Sequence, residues 1–486
     1  MPTHYEAIPE ERPGSPPAES AASRFENILR ARSVEPELSD VDDSDDADEA
    51  DEDQPLVRGQ TQRSRGDATE TWTLMNFIKG MIGPGCLSLP MAFKHAGLWS
   101  GMGLLVVLGL LNLHCMTILV RCAQSLCDRS GKSTLDYGHM VKKAFDLHGP
   151  ERFKPHTRKA LYIANVVVSA LQVGVCSVLI VFMATNTKDI VDRYFPQYQW
   201  TLTEYMLGLL VPLILVNLIR SMRVITLLST VGNLLMIVTF FVIFQHLILA
   251  RHVLPLPAFS DFANFTIGAG AILYAFEGQA LILPLENEMA DRSAMLGSAG
   301  VLSTGMYLVI IIFTASGFFG YITYGDKTKA NVTLNLPYTV VYDVIRVVFS
   351  VVVLLGFVVQ LYVIIEMLWP AIRRKLLSGY ESIHLMLEFA YRVLLVLICI
   401  LIAWAVPDLN NIIPLVGLSA GIMLAFIFPP ALECLTFYEQ WRENDHPWLY
   451  RSKLAKNLAI VCLGCVAMVV GLYNNALAIA DASRRI

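Results

Sequence analysis

Eleven apolar stretches follow one another from Thr71 to the C-terminus, each near the ~20 residues a helix needs to cross ~30 Å of hydrocarbon. They fall at 72–93, 98–120, 160–184, 204–219, 224–249, 266–285, 300–324, 341–369, 389–407, 410–430 and 454–478. Lipid offers the backbone no hydrogen bonds, so a run of this kind crosses a membrane only as a helix. The chain is 55% apolar and 16% charged, against about 45–50% and about 25% in soluble domains, and a soluble fold is set aside. The sequence therefore reads as an all-α integral membrane protein with eleven transmembrane helices. Its weakest division lies between spans four and five, where only the short basic turn Arg220–Arg223 intervenes.

Residues 1–70 are of another kind. They hold 19 of the 42 acids but 7 of the 37 bases, and the stretch from Glu35 to Asp53 is a run of Asp, Glu and Ser. Such a segment cannot bury enough apolar surface to offset the entropy of ordering, so 1–70 reads as a disordered acidic tail and 71–486 as the transmembrane domain. No short apolar core marks a signal peptide, and the tail is expected in the cytosol. With the tail inside, the predicted inner loops carry eighteen Lys and Arg and the outer loops only Lys188, Arg193, Arg251, Lys327 and Lys329. That asymmetry obeys the positive-inside rule. An odd number of spans then puts the C-terminus outside or in a lumen, with Arg484 and Arg485 running against the rule.

Short motifs add detail. Two glycosylation sequons, at Asn264 and Asn331, fall in predicted outer loops, and Asn331 has the longer loop around it. None of the nine cysteines lies in a predicted outer loop, which argues against a disulfide framework. Cys462-Leu-Gly-Cys465 lies inside the last span with no His or acid nearby, so it reads as small packing residues, and no metal or cofactor is expected. In the tail, Glu52-Asp-Gln-Pro-Leu56-Val57 has the form of an acidic dileucine sorting signal and Tyr5-Glu-Ala-Ile8 that of a tyrosine-based one. Such addresses are read by cytosolic adaptors. They point to the lysosomal or late endosomal membrane, with the plasma membrane as the alternative. The bases are dispersed among short loops, not gathered in a stripe, which excludes a nucleic-acid partner.

The chemistry is expected where a membrane helix breaks its own rules. Unwound backbone at membrane depth is tolerated only when buried in protein or lining a polar cavity. Span one carries Gly80-Met-Ile-Gly83-Pro84-Gly85-Cys-Leu-Ser-Leu-Pro90, and span six carries Phe276-Glu277-Gly278-Gln279 before Pro284 and Glu286. These are matching members of two five-helix halves, the spacing of an inverted-repeat transporter whose broken helices meet at the midplane. Where helix one unwinds at Ile82–Gly85, free amides of Gly83, Gly85 and Cys86 would form a positive end suited to a carboxylate. Carbonyls around Tyr274–Phe276 would accept an ammonium group. The two together describe an amino acid.

Ionisable or polar side chains inside spans default to functional hypotheses. Glu277 adjoins the break and reads as a coupling or gating acid, or as the partner of a base such as Lys79. Gln172 reads either as a site residue or as an interhelical hydrogen bond. Arg346 and Glu366 lie nearer helix ends, where snorkelling or a loop pair accounts for them.

These residues resemble the proton-coupled amino-acid transporters of the amino acid/auxin permease group, from about Thr71 to Asn475. The resemblance is carried by Lys79-Gly80…Ile82-Gly83…Gly85…Leu89-Pro90, by Phe276-Glu277-Gly278…Leu283-Pro284-Leu285-Glu286-Asn287, and by shorter strings at His114–Cys122 and Thr333–Pro337. It implies a LeuT-type arrangement of two inverted five-helix repeats plus one extra helix, with a small neutral amino acid held between helices one and six. The proton-coupled members carry a histidine three residues before the Lys-Gly pair, and here that position is Asn76. Asn cannot titrate near neutral pH as His does. The chain is then either a facilitator or one in which buried Glu277 takes the proton. Gln279-Ala280 also departs from the apolar residue and Gly of relatives, so glycine or proline preference is not assumed. Two functions follow: alternating-access transport, or sensing, in which the same pocket reports occupancy to a cytosolic partner through the tail. No catalytic motif supports an enzyme.

Overall fold

The computed structural model describes residues 68–131, 134–149, 156–197, 200–376, 384–444 and 446–484. The sorting-signal positions Tyr5, Ile8, Glu52, Leu56 and Val57 lie outside them. The described chain is helical, with one isolated bridge between Ala68 and Met289. In order the helices are α1 (Glu70–Met81), α2 (Leu89–Ala96), α3 (Leu98–Ser130), α4 (Tyr137–His148), α5 (Thr157–Tyr194), α6 (Leu202–Asn217), α7 (Met222–Leu249) and α8 (Phe262–Ala275). They continue as α9 (Gln279–Glu288), α10 (Val301–Tyr324), α11 (Val340–Leu376), α12 (His384–Ala405), α13 (Leu409–Val416), α14 (Phe428–Asn444) and α15 (Pro447–Arg484).

Among the described residues nine helical segments are long and apolar enough to cross a membrane, the eighth running from α13 through α14 and the fourth from α8 through α9. The other two apolar stretches differ for physical reasons. The first is interrupted, as α1, a 3-10 turn at Pro84–Ser88 and α2. The fourth forms α6, whose 16 residues at 1.5 Å each span only about 24 Å. Elsewhere the helices overshoot the apolar runs. α3 continues to Ser130 and α15 begins at Pro447, because hydropathy marks the hydrocarbon and the backbone ladder does not stop at its edge.

The helix ends carry the expected chemistry. Thr69, Asp136, Asp261 and Asp408 each accept a backbone N–H at a helix start, satisfying one of its orphan donors. At α6 Thr201 and Glu204 form a reciprocal capping box. Gly97, at φ 95°, turns α2 into α3 against the backbone of Ala258 and Phe259. The loop after α3 contains α4, which packs against α5 and α14. Helix α5 is the centre of the bundle, with 78% of its most apolar window buried, against 17% for α15.

Arg346 is 1% exposed. It donates to the carbonyls of Thr333 and Leu336 and to Asp343 at 2.6 Å. Asp343 also accepts from Arg193 and from Tyr194 at 2.8 Å. The loop pair expected for Arg346 is thus formed, and snorkelling is not. A second buried pair joins Glu388 to Arg392 at 2.8 Å and to Arg220 at 2.8 Å, tying the end of α6 to α12.

The best-placed sequon is the one the fold closes. Asn331 is 1% exposed, its Nδ2 is buried, and the Thr333 hydroxyl donates to Asn186 at 2.7 Å. A glycan on that nitrogen has no room, which corrects the expectation for Asn331. The two CxxC cysteines likewise face outward on α15, while Gly464 between them packs on Ile427 and Phe426. Packing therefore falls to the glycine and not to the cysteines.

Candidate functional site

The two breaks lie against each other. Helix α1 ends where the Ile82 amide donates to Ile78 at 2.9 Å, and Gly83 continues in extended conformation. Pro84, which lacks an N–H, then opens a 3-10 turn, and Ser88 donates to the Gly85 carbonyl at 2.7 Å. Helix α8 ends where the Phe276 amide donates to Ile272 and the Glu277 amide to Tyr274, both at 3.1 Å. Gly278 then caps the start of α9. A methyl on Gly85 would stand 3.1 Å from the Ala275 backbone and 3.3 Å from the Tyr274 ring. One on Gly278 would strike Met81, and one on Gly80 would strike Leu281. Glycine at these positions lets the two breaks approach without displacing Met81, Leu281 or the Tyr274–Ala275 turn. Ile82–Gly85 is partly accessible, and the Cα of Gly83 faces open space.

Two hydrogen bonds hold the breaks from outside. Asn112 of α3 donates to the Phe276 carbonyl at 3.2 Å and accepts from Gln279 at 2.6 Å, so one side chain joins both ends of break six. Ser316 of α10 donates to the Cys86 carbonyl at 3.1 Å. The next span after each broken one thus staples the other break. Sequence reading missed both residues. The available signal was Asn112 itself, a buried polar side chain within an apolar span.

Several expected donors are already engaged. The Gly83 amide donates to Met81 at 3.0 Å and the Cys86 amide to Gly83 at 3.2 Å, so neither is a free donor in this conformation. The Phe276 carbonyl is engaged by Asn112, and its ring packs on Phe313 with centroids 5.2 Å apart. Tyr274 and Phe276 are buried, at 6% and 2% exposure. Glu277 is half-buried, within electrostatic range of Tyr274 and of Cys176 in α5. Among the described residues it makes no ion pair, and the pairing with Lys79 is not formed. Lys79 and Asn76 sit half-buried on α1. Gln172 is 3% exposed with Oε1 accepting no hydrogen bond among the described residues, so an interhelical bond to that oxygen is not made. Gln279 Oε1 is likewise buried and unpartnered there.

Break six is also pressed from behind. After α13 the backbone takes π-helical turns at Gly417–Gly421 and Met423–Ile427, a form found mostly as short bulges at functional sites. A methyl on Gly417 would collide with the Gly270 carbonyl and come within 2.8 Å of the Tyr274 nitrogen. Helix α8 is therefore clamped one turn before it unwinds.

Residues 67–476 match the family described as transmembrane amino acid transporter protein. The chain belongs to that family. This member is similar to a Caenorhabditis elegans protein named probable amino acid transporter skat-1, at 33% identity over 420 residues, covering 85% of this chain and 90% of that one. It is also similar to the Drosophila melanogaster proton-coupled amino acid transporter-like protein pathetic, at 28% identity over 410 residues and 83% of each chain. The family is one of transporters and not of enzymes, and its member here is a multi-pass membrane protein. For the transporter, the matched segment takes in both breaks, both stapling residues and the Gly417 clamp.

Proposed function

We propose that the chain is a secondary transporter that moves small neutral amino acids by alternating access, with eleven spans in the LeuT-type arrangement and the substrate between the two breaks. The observation that carries this reading is the crossed stapling, Asn112 onto break six and Ser316 onto break one. Two unwound segments packed together, each braced by the span after the other, suit a site built from the discontinuous helices of an inverted repeat. The carboxylate of a bound amino acid would lie against break one at the Gly85 amide, with Ile82 and Gly83 lining it, and the ammonium would face the end of α8 at Tyr274 and Phe276. Gln279 and Gln172 would set the polarity of the pocket. In this reading the tail and the basic loops are cytosolic, and the membrane is lysosomal or late endosomal.

Glu277 is the coupling acid of the proposal. It is the ionisable side chain at the break itself, and Asn76 leaves helix one without a titratable group at the position where proton-coupled relatives carry histidine. The test is uptake of labelled alanine and related neutral amino acids into proteoliposomes, with and without an inward pH gradient. Flux that rises with the gradient in wild type and loses that rise in Glu277→Gln supports the proposal. Gradient-independent flux makes the protein a facilitator, and binding without flux would replace transport by sensing.

A further inference from the structure

A cavity of about 350 Å3 lies between α3, α14 and α15, away from the breaks, and is lined by Arg121, Lys453, Lys456, Glu433, Gln440 and aromatic side chains that include Trp441. That volume is at the lower end of the ~300–1,000 Å3 usual for small-molecule sites. The cavity stands at an edge of the hydrocarbon. Residues 98–120 of α3 carry no Asp, Glu, Lys or Arg, and Arg121 is the first charge after them. Residues 457–480 of α15 are equally uncharged, and Lys456 is the last charge before them. Two antiparallel helices thus place a cation at the same boundary, and both cations line one space. Lys453 stands over the Trp441 ring at 5.4 Å, an aromatic of the kind that sits at headgroup level.

The lining is mixed. Glu433, 6% exposed, accepts from Asn457 at 2.7 Å and pairs with Lys456 at 3.6 Å. A bare phosphate gains from the cations but is opposed by this carboxylate. A phosphorylated polyol satisfies both, its phosphates meeting Arg121, Lys453 and Lys456 and its hydroxyls donating to Glu433 and to the Gln440 amide oxygen. Next to it, exposed Leu458, Leu463 and Val466 give α15 an apolar outer face along which acyl chains can lie. A second opening shares Arg121, Phe437 and Gln440 and adds the opposed charges Arg129 and Asp128.

We propose that this cleft binds the headgroup of an inositol phospholipid in the leaflet that the basic loops face. Basic pockets between membrane helices on the cytosolic side are where such headgroups bind. The test uses purified full-length protein in detergent, short-chain phosphatidylinositol bisphosphate, short-chain phosphatidylserine and soluble inositol trisphosphate, read by native mass spectrometry. The inositol lipid should be retained, and Arg121→Gln should weaken retention about fivefold, the effect of one cation near a headgroup. Arg121 is exposed and makes no hydrogen bond or ion pair among the described residues, so its loss leaves the fold intact. Arg121→Lys should keep most of the retention, and Arg251→Gln all of it. Equal retention by wild type and Arg121→Gln, or retention of phosphatidylserine as strong as that of the inositol lipid, would overturn the proposal. So would binding of the soluble phosphate as tight as that of the lipid, since the acyl chains would then contribute nothing. The readout needs no substrate and is independent of whether the breaks transport.

Discussion

Asn112 supplies a donor to the Phe276 carbonyl, which has left its helix ladder, and Ser316 supplies a second donor to the Cys86 carbonyl beside the Leu89 amide. Losing Asn112 leaves the buried Phe276 carbonyl unsatisfied, at a cost of about 1–3 kcal/mol, whereas losing the Ser316 hydroxyl removes one net hydrogen bond, worth about 0.5–1.5 kcal/mol. Ser316→Ala should therefore lower the unfolding temperature and reduce maximal uptake, while Ser316→Thr, which restores a hydroxyl, should recover most of both. Unchanged uptake and stability in Ser316→Ala would show that the staple does not position the break. A different residue carries stability alone. Asp343 accepts from Arg193, Tyr194 and Arg346, and Asp343→Asn leaves the buried Arg346 guanidinium only the more distant Asp189 carboxylate at 3.8 Å, destabilising by up to about 3 kcal/mol. Thermal unfolding in detergent checks this. Neither role is readable from residue type, because a Ser or an Asp in a membrane segment acquires one only when a carbonyl or a base is brought to it from elsewhere in the chain.

At the scale of elements, the breaks themselves were legible. Gly83, Pro84, Gly85 and Gly278 mark the places where the backbone departs from a helix, since Pro removes a donor and Gly tolerates close approach. The clamp on α8 was not legible. Gly417 looks like any small residue in an apolar run, and only packing shows its Cα against the Gly270 carbonyl. Gly417→Ala should push α8 from its seat and abolish uptake at an expression level where Gly356→Ala, at a position with open space around it, is tolerated. Comparing the two at matched surface or organelle abundance decides it. Helix α6 poses the remaining question at this scale, because its ~24 Å length falls short of ~30 Å of hydrocarbon. Single cysteines at Thr201 and Ser221, both exposed, should react with impermeant reagents from opposite sides if α6 crosses. Reaction from one side would remove it from the spans and reverse the orientation of every later loop.

For the whole molecule, the pattern of apolar runs and basic loops determined an all-helical, multi-pass membrane chain, because hydrophobic length and backbone hydrogen bonding admit no other spanning solution here. It also located the two interruptions, because Gly and Pro act on the residues next to them. Tertiary structure alone decided what those interruptions do. Contact between Gly85 and Tyr274 joins positions nearly two hundred residues apart, and the partners of Asn112, Ser316 and Gly417 are all supplied by segments distant in the chain. Tertiary structure also withdrew Asn331 from solvent, although its loop reads as exposed, by docking Thr333 onto Asn186. Periodicity and hydropathy are properties of neighbours along the chain, whereas a site, a staple or a buried charge is a property of neighbours in space.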